Sequence, residues 1–214
     1  MPTDTSEDAA DEPRHAPADP PADPLESMPP DPIGRAGRSV RLREATLADA
    51  VELDAREADP AMRGEFNDLG QPPPKPLAEQ LANGKRRVSP ERGSLLVERI
   101  DDGSVIGEVS WHPVMYGPNE QSRALNIGAA LYPDARGQGF GTEAQRLLAE
   151  LLLDQFDVER IEASTDVDNV VEQRSLDKAG FTREGVARRA QFRAGAYHDL
   201  VNYSFVREDR MSRG

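Results

Sequence analysis

Three glycines at alternate positions, in Arg136-Gly137-Gln138-Gly139-Phe140-Gly141-Thr142, stand between a strand-like run and a helix-like run. The run before them is Ala124 to Leu131, followed by Tyr132-Pro133-Asp134. The run after them, Glu143 to about Gln155, carries Ala144, Leu147, Leu148, Leu151 and Leu152, a helical spacing with one apolar face. Glycine has no Cβ to clash and tolerates positive φ, so the backbone of such a loop can approach a ligand closely. The helix behind it aims its unpaired N–H groups and the positive end of its dipole at the same place. A pyrophosphate suits that arrangement, although an ordinary strand–helix turn uses glycine in the same way. Two nucleotide-binding readings fail on spacing. A phosphate-binding P-loop needs a lysine after its last glycine, and none follows Gly141. A dinucleotide fingerprint needs Gly-x-Gly-x-x-Gly followed by an acidic residue on the next strand, and the spacing here is Gly137-x-Gly139-x-Gly141.

The 214 residues allow one domain of ordinary size and an appendage. Residues 1–38 hold nine of the 18 prolines, and nine acidic residues against three arginines. That stretch has too few apolar side chains to offset the entropy of ordering, so the expectation is a disordered acidic tail over 1–38 and a folded domain over 39–214. It lacks the apolar segment of a secretory signal, and no run elsewhere is long enough for a membrane span, which leads to a cytoplasmic chain. The absence of cysteine rules out disulfides, a thiol nucleophile and a thiolate-held metal. His15, His112 and His198 are too scattered to signal a metal site. A formal charge of −13 argues against nucleic acid as a partner. The same field suits a cationic amine substrate, and it also serves plain solubility.

Periodicity and punctuation predict strands over 40–44, 94–99, 104–113, 123–131, 160–166, 182–193 and 197–206, with helices over 47–57, 76–84, 141–155 and 169–179. Asp101-Asp102-Gly103-Ser104 reads as a hairpin turn. Asp168 or Asn169 can N-cap the last helix, and Gly180 stops it.

Several motifs recur in the order of a known family. Asn126-Ile127-Gly128-Ala129, Pro133, Gly137 to Ala144, Asn169 to Glu172, Lys178 to Phe181, Glu184-Gly185 and Asp199 to Tyr203 resemble the GNAT superfamily of acyl-CoA N-acyltransferases. The start, Val40 to Thr46 and Asp49, looks like that family's first strand and helix. The resemblance spans about residues 39–208 and is nearest to the ribosomal-protein alanine acetyltransferase branch. It implies an α/β (α+β) fold, with one mixed and mostly antiparallel sheet of six to seven strands, about four flanking helices, and a splay at the central strands. It also implies an acetyl-CoA-dependent N-acetyltransferase acting on a small-molecule amine or a peptide N-terminus, with no metal, as a monomer or homodimer. A different acyl donor on the same fold, carrier-bound or aminoacyl-tRNA, and a catalytically silent coenzyme A-binding module are the alternatives.

By the same resemblance, Gly128, Ala129 and Leu131 pair with the pantetheine arm. Gly137, Gln138, Gly139, Gly141 and Thr142 offer N–H groups to the pyrophosphate, with Arg136 as a charge partner. Asn169 meets the pantetheine or is only a helix cap. Arg174 and Lys178 meet the ribose phosphate or form a solvated face. Glu65 and Asp68, in the irregular segment Arg63 to Pro74, either attract an ammonium group or belong to a spacer loop.

Acyl transfer to an amine needs a neutral amine, a donor for the oxyanion and a proton for the departing thiolate. Two departures from the family pattern bear on this. Asn126 stands where the branch often has Glu, and Glu172 stands where it often has Ser. Glu108 and His112 share a strand face with Ser110, which makes both candidate bases if that face looks into the cleft and a wet strand face if it looks outward. Glu172 and Tyr203 are the remaining candidates for acid or base.

Overall fold

The computed structural model describes residues 33–59, 62, 64–72, 74–86 and 88–211. The apolar stripe after the glycine loop folds as α3 (Phe140–Gln155), and Ala144, Leu147, Leu148, Leu151 and Leu152 are all buried. They pack on a sheet whose strands are β1 (Arg35–Ala36), β2 (Val40–Arg43), β3 (Gly93–Arg99), β4 (Val105–Met115), β5 (Arg123–Leu131), β6 (Arg160–Asp166), β7 (Thr182–Arg193) and β8 (Ala196–Val206). Their spatial order is β1-β2-β3-β4-β5-β6-β8-β7. The β5–β6 pair is parallel and all other pairs are antiparallel. The other helices are α1 (Ala50–Ala58), α2 (Leu77–Ala82), α4 (Val170–Ala179) and α5 (Arg207–Met211). The described residues thus form eight strands and five α-helices, and the two elements beyond the sequence reading are β1 and α5. None of the described helices is long and apolar enough to cross a membrane.

β1 moves the start of the folded domain. Of residues 33–38, read from sequence as tail, Arg35 and Ala36 form a strand of the sheet, whereas residues 1–32 of the expected tail fall outside the described residues. Arg35 and Ala36 pair with Leu42 and Arg41. Arg35 also reaches Glu150 at 3.0 Å and Asp154 at 2.7 Å on α3. The carboxylate of Glu143 accepts the N–H groups of Arg38 and Ser39, the latter at 2.9 Å. A Cβ at Gly37 would overlap that carboxylate and lie 2.7 Å from Leu147 Cδ1, so glycine is needed for the close approach. Truncation after residue 32 is therefore expected to leave Tm within about 2 °C, whereas truncation after residue 38 costs roughly 1–2 kcal/mol and about 5 °C. Thermal melting of the two truncations checks this. Equal melting would show that β1 adds nothing.

The centre of the sheet opens at β5. On one side β5 pairs with β4 along its whole length, from Arg123↔Met115 to Leu131↔Gly107. On the other side it pairs with β6 only at Leu125↔Ile161, Asn126↔Glu162 and Ile127↔Ala163. Beyond Ile127, β6 runs on with β8 as far as Asp166↔Leu200 and leaves β5 without a neighbour on that side. Gly107 fixes where the end of β5 lies, because a Cβ there would overlap the Ala130 carbonyl and sit 2.9 Å from Leu131 Cα.

Candidate active site

The gap beside β5 is the mouth of a cleft of about 620 Å³. Ala129, Ala130 and Leu131 form one wall, the glycine loop and the start of α3 another, and α4 a third. The irregular segment from Gly64 to Asn67 closes the outer side. Gly139 is the N-cap of α3 with φ +88°, a left-handed conformation that disfavours any side chain. A glycine cap supplies no side-chain acceptor, so the first N–H groups of α3 remain available to an anion. Gly137 and Gly141 complete this cradle, and exposed Arg174 and Lys178 stand across it on α4. The residues present fit a long anionic ligand with a phosphate-bearing end.

Of the cofactor residues expected from sequence, Ala129, Leu131, Arg136, Gly137, Gly139, Gly141, Thr142, Asn169 and Arg174 line the cleft. Gly128 and Gln138 do not. Gly128 faces Ser110, whose Oγ would lie 3.2 Å from a Cβ there, and the Gln138 side chain turns back to donate to the Asp134 carbonyl at 3.0 Å. Arg136 lines the cleft and also holds backbone. Its Nε donates to Leu131 O at 2.8 Å and its Nη2 to Met62 O at 3.1 Å. Asn169 is the N-cap of α4, accepting from Glu172 N at 3.3 Å and donating to Thr165 Oγ1 at 3.1 Å.

A hydrogen-bonded row runs from the glycine loop to Glu172. Thr142 Oγ1 and Ser175 Oγ are 2.9 Å apart, Ser175 Oγ donates to Gln145 Oε1 at 3.3 Å, and Gln145 Nε2 donates to the Glu172 carboxylate. Burial raises the pKa of Glu172 above the ordinary carboxylate range, against the opposing hydrogen bond from Gln145. A carboxyl group with a raised folded-state pKa loses stability for the protein as pH climbs from its unfolded value through the folded one. Glu172→Gln is therefore expected to raise Tm at pH 7 and to give no gain at pH 4, where Glu172 is protonated. Melting curves at the two pH values test this, and a lower Tm at pH 7 would contradict it.

A second, smaller cavity of about 230 Å³ lies beside the first and shares Ala130 and Leu131 with it. Its other lining residues are Arg56, Glu57, Met62, Pro74, Glu108 and Tyr132. Glu108 reaches it because its position on β4 faces Ala130 across the ladder. Ser110 and His112, on the same strand face, lie farther from this end and line neither cavity. The buried guanidinium of Arg86 bridges two carboxylates here, with Nη2 3.1 Å from Glu57 and Nη1 on Glu108. Its Nε bonds Gln80 Oε1 at 3.1 Å, and Nη1 also bonds Ser94 Oγ at 3.1 Å. Burial raises the pKa of Glu57, with a smaller opposing pull from Arg86. Burial also pushes the Tyr132 phenol up to about 12, so it keeps its proton at neutral pH, and Arg56 sits 4.2 Å above its ring.

Tyr203 is not brought to the site. It is 1% exposed in the core, pairs with Ala163 and Arg183 across the sheet, and lines neither cavity. Asp68 and Asn126 are also absent from both linings, whereas Glu65 borders the larger cleft. Gln145 and Ser175 were legible in principle. Gln145 is a polar residue beside an apolar stripe, one helical turn from Thr142, and Ser175 is one turn from Glu172. Glu57 and Arg86 carried no local signal.

Comparison with known proteins agrees with this geometry. The model of the acetyltransferase (GNAT) domain matches residues 39–182. YdaF of Bacillus subtilis (strain 168), provisionally named a ribosomal N-acetyltransferase, is 29% identical over 108 residues, which cover 50% of this chain and 57% of YdaF. Matches to the curated B. subtilis relatives span 52–60% of their lengths. The N-acetyltransferase p20 of Bacillus licheniformis, itself uncharacterised, is 25% identical over 173 residues, or 78% of this chain and 93% of p20. Among solved structures, RimL, a ribosomal L7/L12 α-N-protein acetyltransferase in complex with coenzyme A, superposes with a TM-score of 0.65. That match covers 82% of this chain and 98% of RimL at 19% identity, a likeness of fold. With the splayed sheet, the glycine cradle and a family match over most of the chain, this protein belongs to the GNAT acetyltransferase family.

Proposed function

We propose that this chain is an acetyl-CoA-dependent N-acetyltransferase whose acceptor is the free amine at a peptide or protein N-terminus. The observation that carries the reading is the meeting of the two cavities at Ala130 and Leu131, on the unpaired end of β5. The larger cleft takes the coenzyme, its phosphates at the start of α3 and its arm along the free edge of Ala129 to Leu131. The smaller cavity takes the amine. Burial raises the pKa of Glu57 there, which suits a base that removes a proton from an ammonium group. The neutral amine then attacks the thioester carbonyl. A C–N bond forms, the C–S bond breaks, and the surplus proton on the attacking nitrogen is relayed through the Glu172 carboxyl group to the departing thiolate. Glu108 holds Arg86, and through it Glu57, in place. The choice of a peptide amine draws on YdaF, whose name refers to ribosomal acetylation.

The test is thiol release from acetyl-CoA with three acceptor sets: peptides with free N-termini, the same peptides formylated, and polyamines. Acetylation of the free peptides alone, seen as thiol release and the mass of one added acetyl group, supports the reading. Turnover of polyamines only would assign a small-amine acceptor. Coenzyme A binding without turnover of any set would leave a binding module, and transfer from a carrier-bound acyl group alone would change the donor.

A further inference from the structure

We propose that Arg193 is a positioning residue for the larger cleft, holding the segment Gly64–Asn67 in place as its outer wall. Arg193 is the last residue of β7, at a hairpin turn where Ala194 and Gly195 both have positive φ, 49° and 82°. Its side chain is 6% exposed and runs back under the irregular segment. Nη1 donates to the Glu65 carbonyl at 3.2 Å, and the guanidinium lies 5.2 Å from the centre of the Phe66 ring. The segment is thus gripped by a hydrogen bond and a cation–π contact from a hairpin 128 residues away in sequence.

The grip is anchored at its base. Nη2 of Arg193 donates to Asp166 Oδ2 at 2.6 Å, and the Asp166 side chain is 1% exposed. Burial alone would raise the pKa of Asp166, but the Asp168 N–H, Arg193 and His198 outweigh it and hold the carboxyl below its ordinary range. His198 Nδ1 lies 3.2 Å from the same carboxylate oxygen, and its Nε2 lies 3.2 Å from the Arg193 carbonyl. Asp166 is the last residue of β6, the strand whose departure from β5 opens the cleft. The element that makes the gap therefore also anchors the arginine that walls it. At the other end of the segment Arg136 takes the Met62 carbonyl and packs beside Gly64, where a Cβ would lie 3.2 Å from its Nη1. Two arginines thus suspend an otherwise irregular run across the cleft, and both do so through backbone carbonyls. Such fixing lowers the entropy a ligand must remove on binding, so it should appear in affinity.

This inference rests on the larger cleft being the acetyl-CoA site, and the experiment separates the two claims. Arg193→Lys retains a cation for Asp166 but ends in one nitrogen, which cannot span Asp166 and Glu65 together. Phe66→Ala removes the ring and leaves the Asp166–Arg193 pair intact. Amide exchange over residues 64–67, acetyl-CoA binding by calorimetry and Tm are measured for the parent and both variants. The expected result is exchange faster by about tenfold over 64–67 and a Kd for acetyl-CoA weaker by about tenfold, with Tm near that of the parent. Faster exchange with an unchanged Kd overturns the proposal, and so does unchanged exchange. If Arg193→Lys melts far below the parent, Phe66→Ala alone decides by the same criteria. If the parent binds no acetyl-CoA, the functional reading fails, and the exchange result still reports whether Arg193 holds the segment.

Discussion

Gly141→Val is expected to weaken acetyl-CoA binding by more than about 100-fold while leaving a folded domain with Tm within about 2 °C of the parent. Gly141 lies in the first turn of α3, and a Cβ there would meet Leu131 Cδ1 at 3.4 Å, an ordinary contact. Valine is slightly better than glycine within a helix, so the backbone should accept it. Its methyl groups, however, would sit between Leu131 and Ser175, on the path proposed for the coenzyme. Parent protein with acetyl-CoA at about 100 times Kd should gain ~2.7 kcal/mol, or roughly 5–10 °C in Tm. The variant should gain none. A full thermal shift in Gly141→Val would remove the glycine cradle as the binding site. Gly139→Val is a poorer probe, because φ of +88° at that residue costs ~1–3 kcal/mol of strain for any side chain and confuses folding with binding.

The second large effect concerns the acceptor side. Glu57→Gln is expected to lower kcat/KM by ~10²–10⁴ near neutral pH, the usual contribution of a general base. The sign with pH follows from its role. Only the ionised carboxylate accepts a proton, so the parent rate rises as pH climbs through the raised pKa of Glu57. Above the pKa of the amine itself the acceptor is already neutral, and the variant should approach the parent there. A loss below about tenfold at neutral pH would show that positioning alone, which can supply ~7 kcal/mol or more, carries the reaction. Tyr203→Phe serves as the control and should leave the rate unchanged, since its hydroxyl is buried in the core.

What the sequence revealed and what it hid divide along physical lines. α3 and β2 were legible because each buries one face, so the period marks them, and α4 because Asn169 and Gly180 cap it, whereas β3, buried on both faces, and β7, largely exposed, are marked by the turns that bound them. β1 was not, because two residues have no period. Arg35–Ala36 sits on the sheet through pairing with Leu42 and Arg41 and through ion pairs to α3, none of which is local. The glycine loop was read correctly as a strand–helix turn with a free helix start. Alternation put Glu108, Ser110 and His112 on one face, yet it could not tell that the small cavity ends at Glu108. The same limit hid that Tyr203 is buried, since its direction depends on which side of β8 meets the core. Glu57, Arg86 and Arg193 act by converging from distant elements, with Arg86 and Glu57 29 residues apart, and no window of sequence contains such a meeting.

The gap between β5 and β6 has one more consequence. A strand without a neighbour is an adhesive edge, and proteins normally guard such edges at the rim of a sheet, where another chain could join. Here the edge lies inside the molecule, beyond Ile127, sunk between α3, α4 and the segment Gly64–Asn67. A polypeptide strand carries side chains above and below its own plane and needs room on both faces of the edge. A thin, unbranched arm with alternating amide groups needs no such room and can satisfy the same backbone donors and acceptors. On the function proposed above, the walls would act as a gauge of molecular width, admitting a slender coenzyme arm to a sticky edge and not a second polypeptide strand.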